Sequence, residues 1–215
     1  MSNLAKQIEI LNKELSKQLP EEINELFAQS IKDLKDQKIE EKAITVGMSL
    51  PSFSLVNSQN QLLDSQQLLG QYDRVVLFFF RGSWCPYCNL ELRAIQDFIT
   101  QNQLDRVRIL AISPQITTYS KQLIAENNLE FDLLYDQNNE LAKKLGIAFT
   151  LQDYAQVAYS GLGIDLTSFN GNDSYELPIP AVFVVDNNSI ITYSYVDSNY
   201  TNRIDLGNLV SILKA

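Results

Sequence analysis

The chain has no histidine, only two cysteines and a single tryptophan in 215 residues. The first absence removes histidine-based catalytic triads, histidine-ligated zinc or haem, and any imidazole general base. Two cysteines are too few to staple a disulfide-rich secreted scaffold. Positive charge is also scarce: 17 lysines and arginines stand against 26 carboxylates, for a formal charge of -9. No basic field exists to hold nucleic-acid phosphates or an anionic membrane surface. Long apolar runs are missing too. The longest, Val75 to Phe80, ends at Arg81, far short of the roughly 18 to 20 residues that span a bilayer. The opening MSNLAKQIEILNKELSK carries charges every few residues, unlike the continuous apolar core of a secretory signal. These absences set the expectation of a cytoplasmic protein with neither nucleic acid nor membrane as a partner.

What is present suffices for a core, since 45% of the residues are hydrophobic and so no staples are needed. From Leu4 to Lys38 apolar residues recur at helical spacing: Leu4, Ile8, Leu11 and Leu15, then Ile23, Leu26, Phe27, Ile31 and Leu34. Two amphipathic helices follow, the second opened by Pro20, Glu21 and Glu22 in its first turn. Their apolar stripe packs either on the rest of this chain or against a second copy, as a homodimer.

The pattern changes near Ala43, which divides a helical extension (1–42) from the remainder (43–215). Short apolar runs now alternate with helical periods. Arg74 to Phe80 reads as a strand buried on both faces, and Asn89 to Thr100 as a helix. A strand at Val107 to Ile112, a helix from Tyr119 to Glu126, a strand at Phe131 to Leu134 and a helix from Asn138 to Leu145 come next. This alternation implies crossovers in a central sheet, an α/β architecture. About 149–177 has no clean period and reads as an insertion of mixed helix and loop. IPAVFVVDNNSIITYSYV then forms a hairpin about Asp186 to Ser189, and a helix near Arg203 to Leu213 closes the chain.

Both cysteines lie in one stretch, FFFRGSWCPYCNLEL, as Cys85-Pro86-Tyr87-Cys88. With no second CxxC and no histidine the chain cannot assemble four soft ligands for zinc, so neither metal nor other cofactor is expected. A disulfide across so short a loop stabilises little, and two inert buried thiols are a further alternative. Redox chemistry suits the position best. A cysteine at a strand-to-helix junction meets unpaired helix N–H groups and the positive end of the dipole, which favour its thiolate. Cys85 is thus the expected nucleophile and Cys88, one turn inside the helix, its disulfide partner; Pro86 suits the first turn. Arg81 either assists the thiolate or merely ends its strand facing solvent. Trp84 and Tyr87 either form a rim touched by a partner or pack inward. Far along the chain, Ile179-Pro180 enters a strand where proline is costly to the ladder. Either that bond is cis, as in a thioredoxin-like sheet, where it faces the CxxC and leaves backbone edges free for an incoming peptide, or Pro180 is an ordinary trans-proline at a strand start.

VGMSLPSFSL, LFFFRGSWCPYCNLEL, ILAISPQ, FDLLYDQNNELAKKLGI and IPAVFVVD fall in the order seen in the alkyl hydroperoxide reductase and thiol-specific antioxidant family, the peroxiredoxins. Over about Thr45 to Val196 the chain resembles their peroxiredoxin-like branch, which carries a WCPYC-type motif. The resemblance implies a thioredoxin-like fold, a hydroperoxide substrate and a thioredoxin or glutathione-type reductant. It also implies a Pro-x-x-x-Thr-x-x-Cys site with a later arginine, and here the chain departs. With Cys85 as the reacting cysteine, Phe78, Gly82 and Pro180 occupy the Pro, Thr and Arg places. Three readings stay open at this point. One is a peroxidase in which Cys85 becomes a sulfenic acid that Cys88 resolves. The second is an oxidoreductase acting on protein disulfides, and the third a non-catalytic redox sensor.

Overall fold

The computed structural model describes residues 3–214. The two amphipathic helices form as the spacing predicts, α1 over Asn3–Gln18 and α2 over Glu21–Asp36. Pro20 lies one residue earlier than expected, at the N-cap with φ -54° and ψ 146°. A short hairpin follows, β1 (Ser54–Asn57) and β2 (Leu62–Asp64), then α3 (Ser65–Gln71), capped by Asp64 accepting from the Gln66 and Gln67 amides. The central elements are β3 (Arg74–Phe79), α4 (Pro86–Gln101), β4 (Val107–Ser113), α5 (Thr117–Asn127) and β5 (Asp132–Tyr135). The helix expected over 138–145 is a 3-10 turn at Gln137–Asn139 leading into the short α6 (Glu140–Lys144).

The presumed insertion proves more ordered than its lack of period suggested. Two small helices, α7 (Asp153–Gly161) and α8 (Leu166–Asn170), are framed by antiparallel β6 (Ala148–Thr150) and β7 (Glu176–Pro178). The chain ends with the predicted hairpin, β8 (Ala181–Asp186) and β9 (Ile191–Val196), and with α9 (Leu206–Lys214).

Seven strands make one sheet in the order β2-β1-β5-β4-β3-β8-β9. The β3–β4 and β4–β5 pairs are parallel, joined through α4 and α5, and the other neighbours are antiparallel. Helices flank a mixed central sheet, the thioredoxin-like arrangement. Because side chains alternate along a strand, the apolar run of β3 serves two cores. Val75, Leu77 and Phe79 join Leu110, Ile112, Leu134 and Phe183 on one face. Val76, Phe78 and Phe80 join Ile109, Ala111, Leu133 and both cysteines on the other.

The stripe of the helical extension is used within the chain. Leu4 and Ile8 are buried beside Leu92, Ile95 and Phe98 of α4, Leu34 enters the opposite core, and Phe27 packs on the core of α7 and α8. Polar ties fix α2 to this region: the Tyr154 hydroxyl donates to Asp33 Oδ2 at 2.6 Å and Ser30 Oγ to Gln152 Oε1 at 2.7 Å. Of the two alternatives, the stripe takes the intramolecular one, so a dimer through these helices would use their outer faces.

At Pro180 the structure takes the second of the two alternatives. There is no cis peptide bond among the described residues, so Ile179-Pro180 is trans, the intrinsically favoured isomer. Nor is it a free docking edge. The Ile179 amide donates to Ile147 O at 2.8 Å, and both residues are buried, Ile179 in the core facing away from the cysteines.

Gly146 shows how tightly the extension's exit is held. Its φ is +71°, and an added Cβ would stand 2.2 Å from Lys42 O. Gly146→Ala should therefore cost about 1–3 kcal/mol for the left-handed backbone and more for the clash, lowering the urea midpoint. Gly70→Ala, in a helix with open space around it, should be neutral or stabilising by up to about 1 kcal/mol. Equal midpoints for the two variants would contradict this packing.

Candidate active site

β3 delivers Arg81 just past its end and α4 delivers Cys85 at its N-cap, with Pro86 as first helical residue. The intervening loop is fixed by its own bonds. The Phe80 amide donates to Ile112 O, the Ser83 amide to the buried Gln115 side chain at 2.7 Å, and Asn89 Nδ2 returns to Ser83 O. Gly82 makes room for the indole, since a Cβ on it would lie 2.4 Å from Trp84 Nε1 and would force that side chain to shift. The indole thus fills the space that a threonine at this position would need.

Arg81 is buried, only 3% exposed, which removes the solvent-facing alternative. Its Nη2 donates to Cys85 Sγ at 3.2 Å and its Nη1 to the Tyr159 hydroxyl at 2.7 Å. Aromatic faces complete the enclosure: the Tyr200 ring lies 3.8 Å from the guanidinium carbon and the Trp84 ring 5.1 Å. Such cation–π contacts offset part of the cost of burying the charge. No carboxylate bonds to Arg81 among the described residues, and its Nε has no partner.

A second arginine, not singled out from the sequence, stands behind the pair. Arg203 donates through Nε to Glu91 Oε2 at 2.6 Å, both side chains being buried, and its Nη2 lies 3.6 Å from Cys88 Sγ. Nothing in the pattern marked it, because its partners lie 112 and 115 residues away. Glu91 was likewise unexpected on the buried face of α4.

Both cysteines are free thiols with no exposed surface. Their acidities diverge. Burial alone would push Cys85 up, but the Cys88 thiol hydrogen bond and the charges of Arg81 and Arg203 outweigh it and hold Cys85 well below an ordinary thiol. Burial, the hydrogen bond to Cys85 and the negative charge there push Cys88 well above one. Of the two, Cys85 is therefore the thiol that ionises first. The helix contributes less than expected, since the Cys85 side chain makes no capping bond to the first-turn amides. The lowering comes instead from the Cys88 hydrogen bond first and then from the charges of Arg81 and Arg203.

Tyr87 is buried rather than at a rim, and its hydroxyl donates to Asn12 Oδ1 of α1 at 2.6 Å. Pro86 is exposed, and Trp84 is partly so. Over Arg81 and Trp84 lies a cavity of about 360 Å³, lined largely by apolar and aromatic side chains. Leu15, Leu19, Phe27 and Ile31 of the helical extension form one wall, and Tyr159, Leu162 and Ile164 of the 149–177 segment another. Both segments that the motif left out thus enclose it. A cleft of about 410 Å³ between α1, α4 and α9 contains no cysteine. No cluster of potential metal ligands occurs among the described residues, and none of their helices is long and apolar enough to cross a membrane.

Comparison with known proteins gives a consistent picture. The family described as AhpC/TSA matches residues 46–194. A protein of Haemophilus influenzae assigned as the peroxiredoxin bcp is 25% identical over 104 residues, 48% of this chain and 66% of that protein. The sporulation thiol-disulfide oxidoreductase A of Bacillus subtilis is 25% identical over 96 residues, 40% of this chain and 58% of its own. Among solved structures, peroxidoxin BcpB of Mycobacterium tuberculosis superposes with a TM-score of 0.61 at 16% identity, covering 80% of this chain and 97% of that one. Peroxiredoxin 6 of Arenicola marina gives 0.62 at 17%, covering 80% and 72%. At these identities the structures establish the fold.

Replacing Arg81 by methionine keeps length and apolar contact but removes the cation. Thiolate absorbance near 240 nm should then appear only at distinctly higher pH, each unit of displacement corresponding to about 1.4 kcal/mol of lost thiolate stabilisation. An unchanged titration would show that Arg81 is not what lowers the Cys85 pKa.

Proposed function

The chain belongs to the AhpC/TSA family, and from that premise we propose that it is a thiol peroxidase in which the Cys85 thiolate reduces organic hydroperoxides and Cys88 resolves the product. The observation that carries this reading is the Cys85–Arg81 pair, whose arginine lines a largely apolar cavity. A hydroperoxide with an apolar body fits such a space, its two oxygens directed at Arg81, whose Nη2 lies 3.2 Å from Cys85 Sγ. Arg81 then serves twice, keeping Cys85 ionised and donating to a peroxide oxygen as charge develops on it.

In the first step Cys85 sulfur attacks the terminal oxygen of R–O–OH. The S–O bond forms as the O–O bond breaks, giving Cys85–SOH and an alkoxide that takes up a proton to leave as ROH. The Cys88 thiol then condenses with the sulfenic acid, forming the disulfide and releasing water. A thioredoxin or glutathione-type thiol supplies the two electrons that restore both thiols. Arg203 beside Cys88 favours ionisation of the resolving thiol when it attacks.

A protein disulfide reductase would use the same two cysteines, and their divergent acidities suit that chemistry also. Burial speaks against it. Both sulfurs are covered, and α1 is tied to Tyr87 above them, so a bulky disulfide cannot approach without displacing the extension. For the same reason a protein-sized reductant requires the extension to move.

Stopped-flow mixing of the fully reduced protein with cumene hydroperoxide and with hydrogen peroxide, followed by Trp84 fluorescence, tests the proposal. Trp84 is the only tryptophan and adjoins Arg81. Cumene hydroperoxide should react faster than hydrogen peroxide and far faster than with a free thiol. Cys85→Ser should abolish the reaction and Cys88→Ser arrest it at a sulfenic acid. Rates no better than a free thiol, together with prompt reduction of a protein disulfide, would favour the reductase instead.

A further inference from the structure

We propose that Tyr159 is a catalytic residue of this site, its hydroxyl donating the proton that the departing alkoxide needs. The inference rests on the peroxidase reading above and concerns a step that reading leaves without a donor. An alkoxide is a strong base, and expelling it unprotonated into an apolar cavity is costly.

The protic groups lining the cavity can be taken in turn. Histidine is absent from the chain, and a guanidinium does not give up its proton. The hydroxyl hydrogens of Tyr87, Ser16 and Thr201 are already directed to Asn12 Oδ1, Lys13 O and Asn199 Oδ1. Tyr200 presents its ring face to the guanidinium, not its hydroxyl. Trp84 Nε1 points back at Gly82, and an indole N–H is too weak an acid.

Tyr159 remains. Its oxygen accepts from Arg81 Nη1 at 2.7 Å, while Nη2 of the same guanidinium holds Cys85 Sγ at 3.2 Å. The two functional groups are thus fixed side by side across one rigid plane. No acceptor takes its own hydroxyl hydrogen among the described residues, which leaves that hydrogen for a substrate oxygen. The ring is immobilised edge-on by Phe27 at 5.6 Å and Trp84 at 5.3 Å, measured between centroids. Burial raises the phenol against the pull of Arg81, so the proton is in place at neutral pH.

The step balances. Cys85–S⁻, ROOH and Tyr159–OH become Cys85–SOH, ROH and Tyr159–O⁻; sulfur loses two electrons to the O–O bond, and the tyrosine proton goes to the alkoxide. One negative charge faces Arg81 throughout, first on sulfur and afterwards on the phenolate. The buried cation is never left uncompensated, and water reprotonates the phenolate later.

The test compares two leaving groups. Cumene hydroperoxide releases a basic alkoxide that needs a proton, whereas peroxyacetic acid releases acetate, which does not. In Tyr159→Phe the second-order rate with cumene hydroperoxide should fall about 100-fold, within the range for a general acid. The loss with peroxyacetic acid should be smaller by roughly tenfold or more. Parallel losses would make Tyr159 a positioning residue, and no loss would remove it from the step; either overturns the proposal. Should the variant misfold, the wild-type solvent isotope effect decides: normal with cumene hydroperoxide and near unity with peroxyacetic acid if the proposal holds, equal for both if it does not. If the wild type reduces neither compound, it is the peroxidase reading that fails.

Discussion

A single charge contact organises this molecule: the Arg81 guanidinium against the Cys85 sulfur, 3.2 Å apart and sealed from solvent. A buried cation without a carboxylate is costly unless an anion and polarisable faces surround it. Here the group that can carry the negative charge is the Cys85 sulfur, whose ionisation burial opposes but the Cys88 hydrogen bond and Arg81 favour, and the faces are Tyr200 and Trp84. Each element near the site serves that arrangement. The apolar run of β3 drives Arg81 into the interior, the N-cap of α4 brings Cys85 to it, and the bare backbone of Gly82 lets the indole close over both. Arg203 makes the contrast plain, since it has a buried carboxylate of its own in Glu91 as well as its contact with Cys88 Sγ at 3.6 Å.

Enclosure is what distinguishes the site from an exposed CxxC. The helical extension and the 149–177 segment hold each other through Tyr154–Asp33 and Ser30–Gln152, so the two walls are one unit built from residues 121 and 122 positions apart. Low local polarity strengthens the thiolate–guanidinium attraction and selects small, apolar reactants. It also separates two halves of a catalytic cycle physically. In the proposed cycle oxidation takes place beside the cavity, whereas reduction by a large partner needs the α1 wall, held by Tyr87 and Asn12, to give way.

Much of this was legible because it is local. The 3-4 spacing of Leu4, Ile8, Leu11 and Leu15, the unbroken strand up to Arg81 and the WCPYC junction are short-range signals, and the structure places them as read. The parts that stayed hidden are contacts made across the fold. Tyr159 reaches Arg81 over 78 residues and Arg203 reaches Glu91 over 112, and no period or motif encodes such meetings. Pro180 stayed ambiguous for a related reason. Its position at a strand entry fits a cis bond in a related sheet, but here the Ile147–Ile179 pairing occupies that edge with a trans bond. The absent threonine at Gly82 also had a cause that sequence could not display, because the excluded volume belongs to Trp84.

The account stands or falls on which sulfur carries the charge. Carbon-13 labelling at cysteine Cβ, with the two resonances followed by NMR through a pH titration of the reduced wild type, reports each sulfur separately. Cys85 should ionise well below the ordinary thiol value of about 8.5 and Cys88 well above it. Two ordinary titrations, or Cys88 ionising first, would contradict the central role of the Arg81–Cys85 pair.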